Sequence, residues 1–272
     1  MTSNSTANAA AFRALHQQTR PLALPNAWDV GSAIIAEHCG ASAIATTSAG
    51  IAWSRGRSDG EGLDRHDLVD AIRAIAAAVS LPVTADIEGG HARDGAGVHD
   101  TVAAVIDAGA VGINIEDGDR DPVETAARIA QARKAADAAG IGLFVNARTD
   151  VFLRGLAPED GLLAETVARA ERYTDAGADG VFVPGVADIG LITELAAAVP
   201  LPLNIMVADG SPTVAELGAA GVARVSLGSS VAQAAYEVAR RAATELVEQG
   251  TYAAVRDRAD YAWLNDLMGA AR

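Results

Sequence analysis

Apolar residues follow two patterns along this chain. Short runs rich in Val, Ile and Leu alternate with longer Ala-rich stretches whose apolar positions return every third or fourth residue. The first pattern reads as buried strand and the second as amphipathic helix. Eight runs qualify as strands: "PLAL" (21–24), "AIATTS" (43–48), "PVTADIE" (82–88), "VGINIED" (111–117), "LFVNARTD" (143–150), "GVFVPG" (180–185), "PLNIMV" (202–207) and "ARVSLGS" (223–229). Helices are expected between them, over 29–39, 64–79, 98–108, 122–139, 159–176, 188–198, 213–220 and 230–249. A last helix, 252–268, would carry Val255, Ala259, Ala262, Trp263 and Leu267 on one side.

The punctuation agrees. "HCGASA", "DAGAVG", "AAGIGL", "DAGADG" and "AAGVAR" each place a glycine where a helix ends, a position that favours φ > 0, and a strand-like run follows. Strands alternating with helices imply βαβ units and a parallel sheet. Eight such units fit a closed (β/α)8 TIM barrel with an extra C-terminal helix, a single domain over 11–272. An open doubly wound sheet is the alternative, but "LPNAWDVGS" after the first strand is no glycine-rich phosphate loop. The opening "MTSNSTANAA" (1–10) has no basic region followed by an apolar core, and reads as a short disordered tail.

Composition narrows the partners. Half of the 272 residues are apolar but only 4% are aromatic, so the core must be built from Ala, Val, Ile and Leu. A formal charge of −14 disfavours nucleic acid. No basic amphipathic helix and no apolar run of about 18 residues suggests a membrane partner. One cysteine, Cys39, leaves no internal disulfide and suits the cytoplasm. Cys39 itself reads as a small buried hydrophobe at a helix end.

In a barrel of this kind the site forms at the C-terminal ends of the strands. Those ends carry Asn26, Trp28 and Asp29, then Thr46, Thr47 and Ser48, then Asp86 and Glu88, Asn114 with Glu116 and Asp117, Asn146 with Arg148 and Asp150, and finally Asn204. Asp86 and Glu88, Asn114 and Glu116, and Asn146 and Arg148 are each two apart in apolar strands, so each pair shares one face. Three clustered carboxylates repel one another unless they share protons or a cation. Oxygen donors without His or Cys suit Mg2+, with Mn2+ as the alternative, rather than zinc. Arg148 has two readings, a salt bridge to the acids or a bidentate clamp on a substrate carboxylate. Other polar residues read as structural: Asp64 as an N-cap with Asp67 at the third helical position, Asp117, Asp119 and Asp121 as capping or solvated, and His16, His38, His66 and His99 as surface groups. His91 directly follows the acidic strand, and site and loop roles both stay open for it.

"LPNAWDVGSA", "TTSAGIAWSRGRSDGE", "VTADIEGG", "GINIEDG" and "NARTD", in this order, resemble the isocitrate lyase/phosphoenolpyruvate mutase superfamily from about Pro25 to Ser229. The resemblance implies a (β/α)8 barrel forming homodimers or homotetramers, often with the eighth helix swapped between partners. It implies Mg2+ and a small anionic 2-oxo acid substrate whose enolate is stabilised while a C–C or C–P bond changes. Asp86, Glu88 and Glu116 would form the metal shell, with Asp59 as a further acid of that shell and a catalytic candidate. Ser48, Ala49 and Gly50 resemble the segment that holds the substrate carboxylate and oxyanion, near Trp28, Asn146 and Asn204. Arg148 resembles the substrate-binding, catalytic arginine.

The departures matter. Isocitrate and methylisocitrate lyases carry a Cys-Gly-His loop after the fourth strand; here the segment is "EDGDRDPVE", without Cys, His or Lys. It is also shorter than the gating loop of the phosphonopyruvate enzymes, and "EGGHA" lacks the aromatic that commonly follows the first glycine. The leading expectation is therefore a Mg2+-dependent lyase or decarboxylase acting on a small 2-oxo dicarboxylate such as oxaloacetate. A C–C lyase of the methylisocitrate or dimethylmalate type, a C–P enzyme acting on phosphonopyruvate, and a 2-oxo-acid-binding protein with little turnover are the alternatives.

Overall fold

The computed structural model describes residues 3–270. Its strands are β1 (Leu22–Leu24), β2 (Asn26–Ala27), β3 (Ile44–Thr46), β4 (Val83–Asp86), β5 (Gly112–Glu116), β6 (Phe144–Arg148), β7 (Gly180–Val183), β8 (Leu203–Met206) and β9 (Arg224–Ser226). The helices are α1 (Ser3–Leu15), α2 (Val30–His38), α3 (Ser48–Ser54), α4 (Arg65–Ala78), α5 (Gly95–Asp107), α6 (Pro122–Ala138), α7 (Val151–Arg154), α8 (Leu162–Asp175), α9 (Ile189–Ala198), α10 (Val214–Ala219), α11 (Ser230–Gln249) and α12 (Tyr261–Ala270).

All strand pairs are parallel, in the order β1-β9-β8-β7-β6-β5-β4-β3-β2. β1 and β2 are separated only by Pro25, so they are two halves of one strand. β1 pairs with β9 and β2 with β3, and this closes the barrel. Proline has no N–H to give a ladder, which is why the strand breaks there. The Pro25 carbonyl still accepts from Ala45 N at 3.2 Å, so the break costs one donor and no acceptor. The expected TIM barrel is thus the fold, with its first strand shared between two neighbours.

Apolar burial lies mainly between the barrel and its helical jacket. Ile72, Val98, Val102, Ile129 and Ala132 on the helices pack around Ile113, Ile115 and Val145 on the strands, all fully covered. The inside of the barrel is different. Residues facing inward alternate with those facing the jacket, and they include Thr84, Asn114, Asn146, Asn204, Arg224 and Ser226, all buried. Gly112 makes room there: a Cβ would stand 2.7 Å from the Phe12 ring and 2.8 Å from Thr84 Oγ1.

Several expectations change. The N-terminal segment is not a disordered tail. Residues 3–10 belong to helix α1, where Ala9 and Phe12 are buried; Met1 and Thr2 lie outside the described residues. The reason is packing. Phe12 meets the Phe144 ring edge-on at 5.7 Å between centroids, and His16 stacks on it at 3.9 Å. His16 is therefore buried rather than a surface group. Cys39 is exposed where α2 ends, not buried. The expected helix 252–268 is a short 3-10 turn at Ala253–Val255 followed by α12. Asp64 does cap α4, accepting from His66 N at 2.8 Å, with Asp67 in the first turn.

His16 donates from Nδ1 to the Phe12 carbonyl at 2.9 Å and has no protein partner at Nε2. Burial, helped by the nearby Arg224 charge, lowers its pKa from 6.5 to about 3. A depressed histidine pKa means that the folded state prefers the neutral ring. Its stability contribution is complete above pH 6.5 and is lost as pH falls toward 3. Between pH 8 and pH 5 the loss should be about 2 kcal/mol. His16→Phe keeps the stack and removes the proton site. Its melting temperature should fall less than that of the native chain over this range; parallel acid sensitivity of the two would remove His16 as the cause.

Candidate active site

The C-terminal ends of the strands enclose a cavity of about 190 Å3. That volume equals the share of roughly six waters, enough for one small organic acid. Asn26, Thr47, Ser48, Ala49, Asp59, Asp86, Asn114 and Arg148 line one side, and Leu153, Phe182, Met206 and Ser226 the other. A larger groove of about 770 Å3 lies outside the mouth, with Glu61 and His91 on its wall but no strand-end acid from β4 or β5.

Asp86 ends β4. Its Oδ2 accepts from Ser48 Oγ at 3.0 Å and from Ser48 N at 3.3 Å. Thr46 Oγ1 accepts from Asp86 N at 2.8 Å and fixes the strand end. Ser48 Oγ also lies 3.3 Å from Asp59 Oδ1, so one hydroxyl bridges the two acids. Burial raises both carboxyl pKa values, and the Glu88 charge adds to the effect at each.

Glu116 ends β5. Its Oε2 is 2.8 Å from Arg148 Nη1. Even so, burial pushes the Glu116 carboxyl up to about 8, with Arg148 opposing the rise and Asp86 reinforcing it. Arg148 is shared: Nε and Nη2 donate to the two oxygens of Asp150 at 2.6 and 3.1 Å, and its guanidinium sits 5.6 Å from the Phe182 ring centroid. Arg148 thus serves both Glu116 and Asp150, with Arg154 Nε adding a second contact to Asp150 at 3.1 Å, while Asp86 and Asp59 face the same mouth. Arg148 is pinned by acids, as its salt-bridge reading expects, and it also lines the cavity.

Glu88 turns away. It has φ of 50°, and its carboxylate receives the Glu61 N–H and lies 3.4 Å from His91 Nε2, at an angle that makes no hydrogen bond. Burial alone would lower the His91 pKa, but Glu88, Glu61 and Asp86 outweigh it and raise it. Glu61 and His91 also have positive φ, the only other non-glycine residues so placed among the described residues. The loop after β4, which carries Glu88 and His91, is anchored by buried Arg128, which donates to the Gly89 and Ala92 carbonyls at 2.9 and 3.0 Å. Glu88 and Glu116 border a second chamber of about 170 Å3, with Arg120 and Arg154, on the far side of the acids.

Four expected substrate-binding residues do not line the cavity. Asn146 and Asn204 lie below it, in the barrel interior. Gly50 donates its N–H to Thr47 Oγ1 at 3.5 Å, capping α3. Its missing Cβ matters for another reason, since that atom would stand 2.7 Å from Trp28 Cβ. Trp28 backs this turn from the core side. Asp29 caps α2 in a reciprocal box with Ser32.

Asp117 is neither solvated nor a cap. It is fully buried and accepts from Asp150 N, Arg169 Nη1 and Tyr173 Oη, each at 2.8 Å. It locks the β5 loop to β6 and α8. Asp121, by contrast, caps α6 through Val123 N at 2.7 Å, as expected. Phe182, Met206, Ser226 and Leu153 went unpredicted. Inward alternation along β7, β8 and β9 points to the first three; Leu153 sits on the short helix α7, which leaves no periodic signal.

The phosphoenolpyruvate phosphomutase family model matches residues 12–247. The chain belongs to this family. Solved structures related to it share the architecture. A Mycobacterium tuberculosis protein of uncharacterised function is 41% identical over 80% of this chain and 81% of its own. A solved structure of a candidate phosphonomutase from Burkholderia cenocepacia J2315 is 44% identical, covers 91% of this chain and 100% of its own, and superposes with a TM-score of 0.82. The 2-methylisocitrate lyase of Escherichia coli K12 is 29% identical over 91% of this chain and 87% of its own. More distant relatives include oxaloacetate decarboxylase of Bradyrhizobium (29% identity, 63% of this chain) and phosphonopyruvate hydrolase complexed with oxalate and Mg++ (25% identity, TM-score 0.82).

Removing the buried Asp117 carboxylate would strand Arg169, Tyr173 and the Asp150 N–H. Asp117→Ala should destabilise the fold by about 3 kcal/mol, read as a lower urea midpoint with an unchanged slope. A midpoint within error of the native chain would show that these three donors find other partners.

Proposed function

We propose that this chain is a Mg2+-assisted lyase that decarboxylates a small 2-oxo dicarboxylate such as oxaloacetate. The supporting observation is the mouth itself: a cavity sized for one small acid, one arginine, and more buried carboxylate than that arginine can neutralise.

The residues fit Mg2+. Burial raises Asp59, Asp86 and Glu116, so these groups resist ionisation without added positive charge. Among the described residues no three His, Cys, Asp or Glu side chains converge as a ready cage. Mg2+ does not need one, since it keeps several waters and binds through one or two carboxylates plus the substrate. Asp86 would be the direct ligand, with Glu88 and Glu116 reached through water. When bound, the metal supplies a Lewis acid for negative charge on the 2-oxo oxygen. The relative solved with oxalate and Mg++ supports the same reading.

This chain's own residues do the rest. Arg148, held in plane by Asp150, presents its remaining edge to a carboxylate. Phe182, Met206 and Leu153 exclude water from the opposite wall. Ala49 N–H is the available backbone donor near an oxyanion, since Ser48 N–H already goes to Asp86 and Gly50 N–H to Thr47. Loss of carbon dioxide leaves an enolate that takes its proton from water, so no acid from the β5 loop is required. In that loop Asp117 is buried in its network, Asp121 caps α6 and Arg120 points to Glu61 at 3.5 Å, while Asp119 is exposed beside the second chamber and does not line the cavity. A second reading, C–C lyase action on a substituted malate or citrate, is favoured by the extent of the match to 2-methylisocitrate lyase.

The oligomer belongs to the same proposal. Val231, Ala235, Val238, Ala242 and Leu246 form one stripe along α11 at helical spacing. Val231, Val238 and Leu246 are exposed, and α11 buries only Ala232. Such a face calls for a second copy of the chain, as dimer or tetramer. No described helix is long and apolar enough to cross a membrane.

Oxaloacetate, 2-methylisocitrate, dimethylmalate and phosphonopyruvate should be assayed with Mg2+ and with EDTA. Oxaloacetate turnover that EDTA abolishes is the expected result. Turnover of none, with oxalate still raising the melting temperature in Mg2+, would make this a binding protein. Asp86→Ala should lose Mg2+-dependent oxalate binding while staying folded; unchanged affinity would remove Asp86 from the metal shell. Arg148→Lys should weaken oxalate more than Mg2+, since lysine lacks the planar fork. Val238→Asp with Leu246→Asp should shift the light-scattering mass to that of one chain.

A further inference from the structure

Arg224 is the largest fully buried side chain among the described residues, at 1% exposure. It springs from β9 and crosses the barrel interior to β5, where Nη2 donates to Asn114 Oδ1 at 3.2 Å. No ion pair holds it among the described residues, and its Nε and Nη1 have no protein partner. Burial lowers its pKa to about 9 with Asp86 opposing the fall, so it stays a cation at neutral pH. A guanidinium can only donate.

That one-way chemistry propagates. The Asn114 atom facing Arg224 must be its oxygen, whatever the ambiguity of amide orientation in general. The same oxygen accepts from Asn146 Nδ2 at 3.0 Å. Asn146 Nδ2 also donates to Asn204 Oδ1 at 3.1 Å, and Asn204 Nδ2 then donates to Ser226 Oγ at 3.2 Å. Each amide is oriented by its neighbour, and the series begins at a group that cannot reverse. With both lone pairs of Asn114 Oδ1 engaged below, its Nδ2 is the atom left for the cavity that Asn114 lines.

We infer that Arg224 is a positioning residue that locks the Asn114 amide with Nδ2 facing the cavity, making Asn114 a donor that selects substrates with an acceptor oxygen at that wall. This deepens the proposed function, since a 2-oxo acid carries only acceptor oxygens when ionised. A neutral amide donor adds to Arg148 without adding charge. It stands on the β5 wall between Asp86 and Glu116, where an acceptor presented instead would repel an anion.

The test separates donor from scaffold. Asn114→Asp is isosteric and keeps oxygens for Arg224 and Asn146, but turns an oxygen toward the cavity. Its oxalate affinity, measured by calorimetry in Mg2+, should fall roughly 30-fold or more. Its melting temperature should hold or rise, because Arg224 gains a carboxylate. Arg224→Met frees the amide to flip and should weaken oxalate about tenfold. Arg224→Lys, which still donates, should recover part of that loss. A merely structural Arg224 would instead change melting temperature and leave oxalate affinity alone. Native oxalate affinity in folded Asn114→Asp would overturn the inference. Oxalate binding is read without turnover, so failure of the decarboxylase reading would appear in the substrate panel and leave this result standing.

Discussion

The barrel mouth gathers more buried carboxyl groups than its lining arginine can pair with, and much of the structure is arranged around that imbalance. Arg148 is the pivot. It reaches Glu116 with one nitrogen and Asp150 with two others, so its charge is divided before any ligand arrives. The acids farther from it, Asp86 and Asp59, share one serine hydroxyl, which can donate to only one of them at a time, and among the described residues Asp86 adds only the Ser48 and Glu88 backbone N–H groups. Buried carboxylates in this state lie near the edge between proton and cation. That is a poor arrangement for stability and a good one for recruiting a divalent ion with an anionic ligand.

Such a mouth needs rigid supports, and they are polar as well. Asp117 is fully buried yet satisfied by a backbone amide, an arginine and a tyrosine. Burial drives the Tyr173 hydroxyl pKa upward, so it stays a donor to that carboxylate. Below the acids, asparagines and Arg224 replace the branched residues that usually fill such a barrel. A filled apolar interior would pack better, but it could not orient an amide at the cavity floor. The apolar core has moved outward, to the interface between strands and helices, where Ala, Val and Ile suffice.

Much of this was legible beforehand. The strand runs gave the barrel because each lies between an Ala-rich helix and a glycine turn, and Asp86, Glu116 and Arg148 stood out because period-two spacing put them on one face. Three things were not legible. The tail reading failed at Phe12 and His16, whose burial depends on meeting Phe144, over a hundred residues away in sequence. Asn146 and Asn204 share the inward face with the site residues, but spacing along a strand does not give depth in the barrel. Asp117 looked like part of a solvated acidic turn because its partners, Arg169 and Tyr173, come from α8, in the next strand–helix unit.

The short β5 loop bears on mechanism through what it has already committed. Asp117 is spent on Arg169 and Tyr173, Asp121 on the α6 cap, and Arg120 on Glu61. None of these three can swing over the mouth as a proton donor without breaking a contact that holds the loop, and Asp119, the exposed acid between them, lines the second chamber rather than the cavity. A reaction that leaves a carbanion needing protonation at one face by the protein fits such a loop badly. A reaction whose product can take its proton from water fits it well. On the proposed reading, discrimination among small acids would then fall to the floor and walls of the cavity: Arg148, Asn114 and the acids that call for a cation.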